Sequence, residues 1–88
     1  MSEGDHAPKQ EARERLQEPE GDHELHSALE HMKEHHPHLW RILHRVHFSG
    51  DIDPSKLDEW RRAPEDSQEY DLVENYDRAL GYLGVALQ

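Results

Sequence analysis

Cysteine is absent from the whole chain of 88 residues. Disulfides and thiolate metal sites are thereby excluded, and a cytoplasmic location is the expectation that fits. No apolar run is long enough to span a membrane, and the residues after Met1 carry no signal-peptide pattern. No stretch alternates in the manner of a strand, and no segment repeats. Hydrophobic residues make up only 33% of the chain, so one small domain is expected, with part of the chain left unpacked. Catalytic signatures are missing too. There is no glycine-rich phosphate loop and no nucleophile elbow, and Ser27, Ser49, Ser55 and Ser67 stand in no motif. The expectation is a protein that is not an enzyme.

What the chain has in excess is negative charge and histidine. Twenty Asp and Glu face ten Lys and Arg, for a formal net charge of −10, and there are nine histidines. An acidic chain repels nucleic acid and suits basic protein surfaces. Protonation of every histidine would nearly cancel the charge, so association should depend on pH near the imidazole pKa.

Helical periodicity organises the rest, and the fold class it predicts is all-α. The longest pattern runs from Asp66 to Leu87. On a helix, Leu72, Tyr76, Ala79, Leu83 and Ala86 share one side, with Val73, Leu80 and Leu87 beside them. The remaining helices are expected to cover this stripe. Asp66 and Glu69 have the spacing of a capping box, with Pro64 marking a break upstream. Gly81 and Gly84 each weaken the last turns by about 1 kcal/mol relative to Ala. They either admit a close neighbouring helix or let the end fray, and fraying is expected.

Three shorter helices are predicted before it. The first runs from about Asp22, its N-cap, to His35, with Leu25, Ala28, Leu29 and Met32 on one face. Pro37 interrupts and opens the second, which runs to about Phe48 with Leu39, Ile42, Leu43 and Val46 as its stripe, and ends at Ser49-Gly50. Asp53 and Pro54 start the third, with Ile52 and Leu57 at staple positions and Arg61-Arg62-Ala63-Pro64 at its end. Residues 1–21 have Leu16 as their one large apolar residue after Met1, and read as a disordered acidic tail before a helical domain at 22–88.

The histidines supply a candidate metal site. His31 and His35 are one helical turn apart, and His44 and His47 are three residues apart, spacings at which helices present imidazoles to zinc or nickel. Glu30 and Glu34 could complete a coordination sphere. The alternative is a polar histidine-rich helix face with some rings packed at the edge of the core.

Two segments carry a family likeness. Ser27-Ala28-Leu29-Glu30-His31-Met32, then Pro37, Leu39-Trp40-Arg41-Ile42-Leu43 and Phe48-Ser49-Gly50 resemble the first two helices of the promoter-binding fourth region of bacterial sigma factors. Tyr76-Asp77-Arg78-Ala79-Leu80-Gly81-Tyr82-Leu83 resembles the end of that family's recognition helix, and phage-encoded sigma-like regulators share the pattern. The resemblance implies a helix-turn-helix-like domain, a role in transcription regulation, and RNA polymerase, a sigma factor or promoter DNA as partner.

Charge bears on which partner to expect. Glu65, Asp66, Glu69, Asp71, Glu74 and Asp77 lie along the stretch that would enter the major groove, with no Lys or Arg until Arg78. Phosphate contacts need cations, and base readout leans on Arg, Asn and Gln. These six carboxylates are therefore the expected partner-binding residues, for a protein with a basic surface rather than for DNA. A charge run of this kind is otherwise an ordinary solvated face.

Overall fold

A computed structural model describes residues 8–87. Five helices follow one another: α1 (Pro8–Gln17), α2 (His23–His35), α3 (Pro37–His47), α4 (Pro54–Trp60) and α5 (Gln68–Ala86). No strand occurs among the described residues, so the all-α expectation holds. No helix is long and apolar enough to cross a membrane.

Local chemistry sets most helix starts. The carboxylate of Asp22 accepts the Leu25 amide at 3.1 Å and opens α2. Asp53 accepts the Ser55 amide at 3.0 Å, and Pro54 occupies the first turn of α4. Between α3 and α4 the backbone reverses at Gly50, whose φ of 78° is a left-handed conformation that glycine adopts without strain.

The start of α5 differs from expectation. Ser67, not Asp66, is its cap: the Ser67 hydroxyl accepts the Tyr70 amide at 3.1 Å and donates to the Pro64 carbonyl at 2.7 Å. The Ser67 amide also donates to Pro64, at 2.9 Å. Pro64 through Ser67 thus close as a turn, which leaves Asp66 inside that turn and out of reach of a box with Glu69.

Helix α5 is the hub, and each of the other four packs against it. The α2 stripe is buried as expected, as are Leu39, Leu43 and Val46 of α3, with Ile42 half-buried at the edge. Ile52 and Leu57 are buried together with them. On α5 the buried arc comprises Val73, Tyr76, Ala79, Leu80, Leu83 and Gly84. Leu72 and Leu87 are only half-buried, and Ala86 is exposed. The arc is rotated from the expected stripe toward Gly84 because a helix in the segment expected to stay a solvated arm covers that side.

That helix is α1, and it corrects the tail at residues 8–21. The part of the expected tail before Pro8 lies outside the described residues. Ala12 and Leu16, one turn apart, are buried against α5. Burying a leucine side chain stabilises by about 1.5–3 kcal/mol. Arg15 ties the helix down at its exposed edge, reaching Glu11 at 3.2 Å, Asp22 at 3.4 Å and Glu24 at 3.1 Å. The Asp22 carboxylate therefore serves the α2 cap and the α1 tether together. Apolar content is low in this segment, but what there is falls on one face, and position matters more than quantity. The folded unit accordingly includes α1 and does not begin at residue 22.

Candidate functional site

The predicted partner-binding carboxylates divide into two groups. Glu65 and Asp66 occupy the turn before α5, and Glu69, Asp71 and Glu74 lie on its outer side, all exposed. Among the described residues none of these five forms an ion pair. Asp71 accepts a bond from the Asn75 amide group at 3.3 Å, one turn on. Asp77 is different. It is half-buried and accepts two bonds from Arg61, Nη1 to Oδ2 at 2.6 Å and Nη2 to Oδ1 at 2.9 Å. This pair raises the Arg61 pKa, chiefly through the hydrogen bond. Asp77 is thereby committed to holding α4 on α5 and is not available as a free surface charge.

The four candidate metal ligands are dispersed. His31 and His35 do meet, with ring centroids 4.3 Å apart. Tyr82 lies over His31 at 6.3 Å and meets His36 edge-on at 4.5 Å. His44 instead stands in a row along α3, 5.1 Å from Trp40 and 5.9 Å from Phe48, which follow the one-turn spacing of a helix face. His47 turns inward to α5. Among the described residues no group of three or more His, Asp or Glu is arranged to hold a metal ion. A tetrahedral site needs four converging donors, and the four candidates supply one imidazole pair in contact, His31 and His35. The half-buried rings of His36, His44 and His47 correspond to imidazoles packed at the edge of the core.

The inward histidine forms a part-buried polar contact with α5. His47 Nε2 lies 2.8 Å from the Tyr76 hydroxyl, with the rings stacked at 5.8 Å. Burial lowers the His47 pKa, and the positive charge of Arg13 lowers it further. Burial raises the Tyr76 pKa, with Arg13 opposing. Both groups are thus held neutral near pH 7, and the neutral imidazole can accept the phenol proton or, as the other tautomer, donate to its oxygen.

This pair borders a cleft of about 320 Å³ at which α1, α3, α4 and α5 converge. Arg13 and Gln17 line it from α1, Pro54, Leu57 and Asp58 from α4, and Arg61 from the turn that follows. None of these was a candidate in the sequence. Arg13 and Gln17 lie in the segment that composition assigns to the tail. His47 and Tyr76 are 29 residues apart with no motif to connect them. The one legible hint was that Tyr76 falls on a core stripe, where a buried hydroxyl needs a partner.

Comparison with models of protein families, with curated proteins and with solved structures finds no match to this chain.

Proposed function

We propose that this protein acts by contact with a protein partner, which it engages through the exposed carboxylates of Glu65, Asp66, Glu69, Asp71 and Glu74. The observation that carries the reading is that, among the described residues, these five acids have no cationic neighbour in an ion pair, whereas Asp77, the sixth of the run, does. An uncompensated acidic face creates a field that draws in a basic surface and repels the phosphates of DNA. The sigma-like resemblance supports a partner in the transcription machinery, RNA polymerase or a sigma factor, and a role for the protein as an acidic, phage-type regulator. Promoter DNA is the less favoured partner for the same electrostatic reason.

A second reading is favoured by the His31–His35 contact at 4.3 Å, which fits a pH-responsive or weakly metal-binding histidine surface.

The test is charge reversal of Glu69, Asp71 and Glu74 to Lys in one variant. All three are exposed, so the urea midpoint should change little. Binding to a purified basic partner, or to RNA polymerase, should be fast at low salt and slow as salt screens the field over about 10 Å at 0.1 M. The triple variant should lose it. Binding of a promoter duplex by the wild type, lost in the variant, would instead establish DNA as the target.

A further inference from the structure

We propose that the cleft between α1, α3, α4 and α5 is a binding site for a small organic monocarboxylate, with Arg13 as the residue that receives the anion. Two arginines face this cleft, and their situations differ. Arg61 already gives both prongs of its guanidinium to Asp77. Arg13 makes no ion pair among the described residues, although the chain carries twice as many acids as Lys and Arg together. Its guanidinium lies within hydrogen-bonding reach of the neutral Tyr76 hydroxyl, and no carboxylate among the described residues pairs with its charge, so at this concave position it is an available receptor. Its planar fork matches a carboxylate in two-pronged geometry.

The other walls narrow the ligand class. Gln17 follows Arg13 by one helical turn and lines the same cleft, so its amide is a second donor beside the guanidinium. Pro54, the buried Leu57 and the Tyr76 ring offer apolar surface for a hydrocarbon body. The neutral His47–Tyr76 pair adds polar atoms without adding a second cation. Asp58 also faces the cleft. Its carboxylate lies 4.0 Å from Arg61, so Arg13 is the cleft's cation without an ion pair among the described residues, and a single such cation suits a single negative charge and disfavours a dianion such as phosphate. A volume of about 320 Å³ is at the small end of ligand pockets, enough for a ring or short chain carrying one acid group.

The probe is benzoate, titrated into the full chain and followed by nuclear magnetic resonance. Saturable shifts are expected at the Gln17 and Tyr76 amides, the His47 ring and the Arg13 Nε–H. Benzamide, the neutral analogue, and inorganic phosphate should bind about tenfold more weakly or worse. Arg13→Gln should weaken benzoate by about tenfold or more while moving the urea midpoint little, because Arg13 is exposed and forms no ion pair among the described residues, and the Tyr76 hydroxyl keeps His47 as a partner. Absence of saturable shifts, equal binding of benzamide, or unchanged benzoate affinity in Arg13→Gln would each overturn the assignment. So would phosphate binding as tight as benzoate. If Arg13→Gln fails to fold, Asp58→Asn decides, since Asp58 is exposed. That variant should bind benzoate more tightly and begin to admit phosphate, and no change in either would refute the site.

Discussion

The backbone of Pro8 lies directly against the bare α-carbon of Gly84, so that a side-chain carbon at residue 84 would overlap the Pro8 carbonyl and α-carbon. This notch is where α1 seats on α5. Gly84→Ala should therefore destabilise the chain by about 1–3 kcal/mol through overpacking, since backbone cannot swing aside as a side chain can. That loss should outweigh the gain of about 1 kcal/mol that alanine brings to a helix. Gly81→Ala is the matched control. Its added carbon would meet Lys9 Cε at 3.7 Å, an ordinary contact, and the variant should be neutral or more stable. Urea midpoints measure both. Equal stabilisation in the two variants would mean that α1 does not rest on Gly84.

Arg61 and Asp77 form the two-pronged contact that joins the end of α4 to the middle of α5. Both side chains are partly solvated, at 37% and 28% relative exposure, so the pair is worth less than its geometry alone would imply. A double-mutant cycle with Arg61→Ala and Asp77→Ala should give a coupling of about 0.5–1 kcal/mol, reduced by salt. Arg61→Lys should lose most of it, because an ammonium cannot reproduce the fork. A coupling near zero would show that α4 is held by Leu57 and its apolar neighbours alone.

Stability should fall away on both sides of neutrality for reasons traceable to His47 and Tyr76. The His47 pKa is lowered in the fold, chiefly by burial. Above the ordinary imidazole value of about 6.5 neither folded nor unfolded chain carries this proton, and nothing is lost. As pH drops below it, the unfolded chain takes up the proton first, and stability declines until pH passes the folded value. The Tyr76 pKa is raised, again chiefly by burial. Its contribution is complete below the ordinary phenol value of about 10 and is lost as pH rises through the folded value. His47→Gln should shallow the acid limb and Tyr76→Phe the alkaline one. Each should also cost about 1 kcal/mol near pH 7 for the lost hydrogen bond. Urea midpoints across pH for the wild type and both variants give the comparison, and superimposable profiles would contradict the assignment.

Residues that interact with near neighbours were legible before any tertiary structure. Asp22 and Asp53 cap helices because the amides they satisfy lie within three residues, and Leu25, Ala28, Leu29 and Met32 share a face because helix geometry alone aligns them. The exposure of the acidic run Glu65–Glu74 belongs to the same class, since like charges crowded along a short stretch repel one another and stay in water. The tertiary structure decided the cases in which the partner is remote. Ala12 and Leu16 are too few to order a segment alone; α5 covers them, Gly84 leaves room for the Pro8 backbone, and Arg15 adds its ion pairs to Asp22 and Glu24. Asp77 reads as one more surface acid until Arg61, 16 residues earlier, is folded onto it. Asp66 yields its capping role to Ser67 because the turn from Pro64 closes on the serine hydroxyl, which then accepts the Tyr70 amide. The cleft of Arg13, His47 and Tyr76 exists only where four helices meet. A capping bond or a helical stripe is fixed by the backbone's own repeat over a few residues. A buried pair or a cleft takes its energy from surfaces supplied by other elements, which no local pattern encodes.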